Sequence, residues 1–141
     1  MLITRRAEFS ASHVCRQPAR TDEENVAIYG VEANPRGHGH NFVLDVTLDG
    51  EPDPVTGMVY DLKKLKEVLQ REVVDVFDHR FLNLEVAPFD HVIPTPENMA
   101  VDIWRRLEAS FRDPGVRLHA VRLFETEDLW VEYNGGARWS A

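Results

Sequence analysis

His13, His38 and His40 are the residues of this 141-residue chain whose type and spacing point most directly to chemistry. Side chains two apart on a strand share a face, so the His38-x-His40 pair presents two imidazoles side by side. A third histidine from a neighbouring strand completes a facial set of neutral nitrogens. Such a set suits zinc and leaves the fourth tetrahedral position open to water or a substrate oxygen, the feature that separates catalytic from structural zinc. A His-x-His pair alone reads more simply as packed or solvent-bonded rings. Here all three histidines extend apolar faces, where polar rings without a partner are costly.

A cupin barrel also uses a His-x-His pair, followed shortly by a glutamate ligand. That glutamate is missing, because Asn41, Phe42, Val43, Leu44 and Asp45 come next, and two long amphipathic helices fit such a barrel poorly. The single cysteine, Cys15, offers neither an internal disulfide nor a thiolate cluster. If the first strand continued, Cys15 would share parity with His13 and place a thiol near the ion as base or ligand; otherwise it is a small buried hydrophobe.

The elements that must position these residues follow from periodicity. Alternation predicts a strand over 3–13, with Ile3, Ala7, Phe9, Ala11 and His13 on one face, and another over 38–48, with His38, His40, Phe42, Leu44, Val46 and Leu48 together. Between them lies a long polar segment, 14–37, with a short helix over 22–29 capped by Thr21 or Asp22. Asp61 caps a helix over 62–77 whose Leu62, Leu65, Leu69, Val73, Val76 and Phe77 fall at helical spacing. Thr95, Pro96 and Glu97 read as cap, first-turn proline and first-turn acid of a second helix, with Met99, Ile103, Trp104, Leu107 and Phe111 inward. Asp113, Pro114 and Gly115 stop it. Strands over 117–126 and 129–133 follow, giving the order ββααββ and an α+β class within one domain over 1–141.

Bulk properties bound the partners. The formal charge of -8 argues against nucleic-acid or membrane surfaces as partners, since both require a broad positive face. A small anion is still compatible: Arg16, Arg20 and Arg36 flank the histidines, and a phosphorylated metabolite needs few such groups. Taken singly, each reads as a solvated loop arginine. No apolar run approaches the roughly 20 residues of a membrane span, and the N-terminus alternates where a secretory signal would be continuously apolar. The cytoplasm is the expected location.

At this point the residues resemble a known family. Phe9-Ser-Ala-Ser-His13, Asp22-Glu-Glu-Asn25, Asn34-Pro-Arg-Gly-His-Gly-His-Asn-Phe42, Thr56-Gly-Met-Val59, Asp78-His79, Thr95-Pro-Glu-Asn98 and Phe124-Glu-Thr126 are similar, in this joint order, to the 6-pyruvoyl-tetrahydropterin synthases and the related 6-carboxy-tetrahydropterin synthases. The resemblance implies the tunnelling fold, a four-stranded antiparallel sheet with two helices on one face, and a homohexamer of two stacked trimers with active sites at subunit contacts. It implies zinc on His13, His38 and His40, and 7,8-dihydroneopterin triphosphate as substrate. It further implies Asp78 and His79 as an acid/base pair, Glu125 as pterin anchor, and Thr95 beside the pterin. Without it, Asp78-His79 reads as a loop pair ending a helix, Glu125 as a solvated strand-end acid and Thr95 as a helix cap.

One position departs from the pattern. Aligning Gly30 and the segment from Asn34 to His40 puts Glu32 where the pyruvoyl-forming enzymes carry their catalytic cysteine. A cysteine thiol has a pKa of about 8.5 and a glutamate about 4.3, so a carboxylate is the weaker base unless burial raises it. Taking a proton from carbon becomes harder, whereas taking one from a zinc-acidified hydroxyl is less demanding. The expectations are therefore triphosphate elimination, Glu32-dependent side-chain cleavage to 6-hydroxymethyl-7,8-dihydropterin for folate synthesis, a 6-carboxy-tetrahydropterin synthase-like reaction, or a non-catalytic homologue that binds pterin or zinc.

Overall fold

The computed structural model describes residues 1–136. Strand β1 (Leu2–His13) pairs antiparallel with β2 (His38–Gly50), which pairs antiparallel with β4 (Val116–Thr126), itself antiparallel to β5 (Leu129–Tyr133). A fifth strand, β3 (Arg80–Phe81), lies parallel to the outer edge of β1, so the sheet order is β3-β1-β2-β4-β5. This corrects the expectation of four strands. Two residues are too short to show any alternation in a sequence, and β3 exists because the chain leaving the long helix is held against β1.

The connection between β1 and β2 carries α1 (Asp22–Tyr29) and a 3-10 turn, Gly30–Ala33. Thr21 is the cap, accepting from the Glu24 N–H, while Glu24 reaches back to the Thr21 N–H in a capping box. Gly30 ends the helix at φ 61°, ψ -133°, a conformation open in practice to glycine alone. That reversal starts the turn bearing Glu32. Buried Asn25 ties the loop down: its Nδ2 donates to the carbonyls of Gln17, Arg20 and Thr21, and its Oδ1 accepts from the Gln17 N–H.

The predicted helix over 62–77 is present but not uniform. It runs as α2 (Leu62–Leu69), a π turn at Gln70–Val74 and α3 (Asp75–Phe77), followed after β3 by the short α4 (Leu82–Glu85). Leu65, Leu69, Val73 and Phe77 are buried as expected, while Leu62 is exposed and Val76 half-buried. Leu62 occupies the first turn, beyond the reach of the sheet. The extra residue of the π turn shifts the face that follows it, which is why Phe77 and not Val76 points inward. In α5 (Pro96–Glu108) Met99, Ile103 and Leu107 are buried, with Trp104 half-buried against Tyr133. These side chains form one core with Phe9, Phe42, Leu44, Val46 and Leu48 on a single sheet face.

Strand β4 contains a bulge. Thr47 pairs with Ala120 but the next residue, Leu48, pairs with Leu118, leaving His119 as the extra residue. Inward parity switches there, from Leu118 to Val121, Leu123 and Glu125. The far end of β4 thereby turns Glu125 toward the face that carries the histidines.

Candidate active site

His13 and His38 face each other across the β1–β2 ladder, with His40 opposite Ala11. Their ring centroids are 4.6 Å (His13–His38), 5.3 Å (His13–His40) and 4.9 Å (His38–His40) apart. The sheet's period of two makes this cluster continuous with the core, since Phe42 meets both His13 and His40 edge-on. His13 is fully buried, and its Nδ1 donates to the Pro94 carbonyl at 2.7 Å. That bond leaves Nε2 as the lone-pair nitrogen.

The site passes a simple test for a cation. The Nε2 atoms of His13, His38 and His40 are all buried and lack hydrogen-bond partners, an arrangement that costs on the order of 1–3 kcal/mol for each atom. One ligand atom from each histidine and one from Glu32 lie within 4.8 Å of one another. Burial lowers the pKa of His13, with His38 and His40 adding to the effect, and burial likewise lowers that of His40. Neutral imidazoles are the forms that bind metal, so these four residues could hold one.

Glu32 projects from its 3-10 turn into this cluster. Its Oε2 lies 2.6 Å from His38 Nε2 and 3.6 Å from His13 Nε2, and the Glu32 carbonyl accepts from the Cys15 N–H at 2.9 Å. Glu125 approaches from β4, 8 % exposed, with Oε1 3.5 Å from His40 Nε2. Burial raises its pKa, and the nearby Glu32 charge pushes the same way.

Cys15 adopts the bland role. Its thiol is buried, lies 3.8 Å from the Pro94 carbonyl, and is pushed up to about 12 by burial and then by Glu32, Glu125 and Glu97. It is absent from the ligand cluster. Thr95 is the α5 cap, its hydroxyl accepting from the Asn98 N–H at 3.3 Å.

Asp78 and His79 form the expected pair, Nδ1 to Oδ2 at 2.7 Å, but they are not members of the ligand cluster. Asp78 Oδ1 accepts from the Ser10 N–H at 2.8 Å, and His79 N–H donates to the Ser10 carbonyl at 2.6 Å. The exposed His79 ring, held at φ 59°, borders a groove at the β1–β2 edge with Ser10, Ser12, Gly39, Asn41 and His40. Within one chain, the pair thus sits at the β1–β3 edge of the sheet and outside the cluster of His13, Glu32, His38 and His40.

Two positioning residues escaped the sequence. Asn83 clamps the chain just after His13, accepting from the Val14 N–H at 2.9 Å and donating to its carbonyl at 3.0 Å. Pro94 acts through its carbonyl alone. Neither residue type carries a signal for such a role, although the Asn83 side chain's place in an otherwise apolar stretch was a visible oddity.

The family model for 6-pyruvoyl tetrahydropterin synthase matches residues 2–136. This chain belongs to the 6-pyruvoyl tetrahydropterin synthase family. It is 41 % identical over 133 residues to the human 6-pyruvoyl tetrahydrobiopterin synthase, covering 94 % of this chain and 90 % of that protein. The solved 6-pyruvoyl tetrahydropterin synthase of Caenorhabditis elegans superposes with a TM-score of 0.89 at 38 % identity, over 96 % of this chain and 95 % of that one. The fold is the tunnelling fold of these synthases. The dihydroneopterin monophosphate aldolase of Pyrococcus furiosus is 34 % identical over 131 residues, 92 % of this chain and 94 % of its own length.

Proposed function

We propose that this chain is a zinc-dependent pterin lyase that takes 7,8-dihydroneopterin triphosphate and releases triphosphate from its side chain. The observation that carries this reading is the convergence of three buried, unpartnered imidazole nitrogens with the Glu32 and Glu125 carboxylates. Family membership supports lyase chemistry on a pterin; the zinc, the triphosphate and the bond broken are our reading.

In this reading His13, His38 and His40 hold the ion, which when bound supplies a Lewis acid for the side-chain hydroxyls. Glu125 anchors the pterin, accepting from the ring amino group and the adjacent ring N–H, and Thr95 lies alongside. A carboxylate already stripped of water gains more from two donors than a solvated one does. Glu32 is the base near the hydroxyls. Asp78 orients the His79 ring through its Nδ1, leaving Nε2 to exchange a proton with the substrate. The pair stands outside the ligand cluster of its own chain and is exposed at the sheet edge, so in this reading a neighbouring copy supplies it. This favours sites at subunit contacts in a homohexamer of single-domain subunits.

A second reading is favoured by Glu32 itself. A carboxylate is suited to a hydroxyl proton more than to a carbon-bound one, and loss of the 2′-hydroxyl proton permits retro-aldol cleavage to 6-hydroxymethyl-7,8-dihydropterin. The likeness, over nearly the whole of both chains, to a protein named as an aldolase supports it. Incubation with dihydroneopterin triphosphate followed by product chromatography separates the two. Triphosphate release supports elimination, hydroxymethyl-dihydropterin supports cleavage, and pterin binding by zinc-loaded protein without turnover defeats both.

A further inference from the structure

We propose that Glu32 is a fourth, displaceable metal ligand, bound when the pocket is empty and released as the base when a substrate hydroxyl takes its place. The proposal rests on the metal-dependent reading above and specifies what the departure from cysteine does there. Ligand atoms around a tetrahedral ion with bonds of ~2.0 Å lie about 3.3 Å apart. Glu32 Oε2 sits 2.6 Å from His38 Nε2 and 3.6 Å from His13 Nε2, which brackets that spacing. The short contact to His38 is not a hydrogen bond, because His38 Nε2 has no partner of suitable geometry. The two atoms are therefore placed like two donors to a common centre, not like donor and acceptor.

Length explains why glutamate and not cysteine produces this. A cysteine sulfur ends two bonds nearer the backbone than a glutamate oxygen, so a thiol in the same turn would hang back from the three nitrogens. The turn itself is anchored by Gly30 at one end and by the Cys15 N–H on the Glu32 carbonyl, while the Glu32 side chain is 32 % exposed. The backbone is fixed and the carboxylate has room to swing. The exchange balances: one carboxylate oxygen leaves, one hydroxyl oxygen arrives, and the proton shed by that hydroxyl passes to the departing carboxylate. No separate step is then needed to bring base and hydroxyl together.

Cobalt(II) tests this without reference to turnover. Protein stripped by a chelator and reloaded with cobalt is titrated with thiocyanate while its visible spectrum is followed, for the unaltered chain and for Glu32→Ala and Glu32→Gln, each checked for folding by circular dichroism. The unaltered chain is expected to resist thiocyanate and to change spectrum with neopterin. Glu32→Ala should admit thiocyanate and hold cobalt at least about tenfold more weakly, since even outer-shell losses cost that much. Equal cobalt affinity and equal thiocyanate response in all three would overturn the proposal while leaving the metal site intact. No cobalt uptake by the unaltered chain would overturn it together with the reading beneath it.

Discussion

The Nδ1–H of His13 donates to the carbonyl of Pro94 at 2.7 Å, joining the end of β1 to the segment that leads into α5. The bond selects the tautomer whose Nε2 carries the lone pair, and it ties ring orientation to the seating of a helix whose Met99, Ile103 and Leu107 are fully buried. Metal-ligating histidines characteristically have such a partner on their other nitrogen, and the ligand geometry depends on it.

Metal loading should therefore stabilise the fold. At a hundredfold excess over Kd the gain is ~2.7 kcal/mol, or roughly 8 °C in Tm for a domain of this size. Differential scanning calorimetry of stripped and zinc-loaded protein measures it. His13→Ala should lose the zinc response entirely, and a full-sized response in that variant would count against the assignment.

Asn83→Ala removes both bonds that hold Val14 just beyond His13. Two backbone groups are left unmatched in a part-buried place, at a cost of about 1–3 kcal/mol, and zinc affinity should fall with stability because the neighbouring ligand loses its fixed frame. Urea melts and a competitive zinc chelator report the two losses separately. A variant that is destabilised but binds zinc normally would show that Asn83 serves the fold alone.

Asp78 gives a pH signature. The Ser10 N–H, then the bond with His79, holds its carboxyl below the ordinary carboxylate value. A depressed folded pKa means a contribution to stability that is complete above the unfolded value of about 3.9 and is lost as pH falls through the folded value. Relative to Asp78→Asn, the unaltered chain should thus lose its advantage only below about pH 4. An advantage that disappears between pH 6 and 8 would point to a different group.

The separation of His79 from the histidine cluster predicts complementation. His79→Gly should lower turnover about 10²–10⁴-fold, the usual worth of a positioned acid or base. It should not lower Tm, because glycine relaxes the left-handed backbone at φ 59°. Mixed after co-refolding with an equally inactive His38→Ala chain, it should regain activity, since roughly a quarter of sites at a shared interface then combine two intact halves. Failure of the mixture to exceed either parent would place a complete site in one chain.

Much of this was legible in the residues because the sheet obeys a period of two. Alternation from Ile3 and from His38 puts three histidines on one face, and the order of short motifs locates Glu32, Asp78, His79 and Glu125. What periodicity cannot encode was missed. Two residues cannot display a pattern, so β3 was invisible; a π turn changes phase within an unbroken apolar run, so Val76 and Phe77 were not told apart; and a carbonyl such as that of Pro94 has no side-chain identity to read. The place of Asp78 and His79 at the outer edge of β1, apart from the ligand cluster, needed the pairing of β1 with both β2 and β3. The bulge was missed as well, since Leu118 and Val121 both face inward only because His119 is inserted between them.

That bulge makes the aim of Glu125 a matter of counting. His119 contributes its presence as a spacer, so replacing it with another residue should leave Glu125 where it is, whereas deleting it would turn over the part of β4 beyond it and send Phe124 and Thr126 inward. For this strand, a change in length is a change in which side chains line the histidine face.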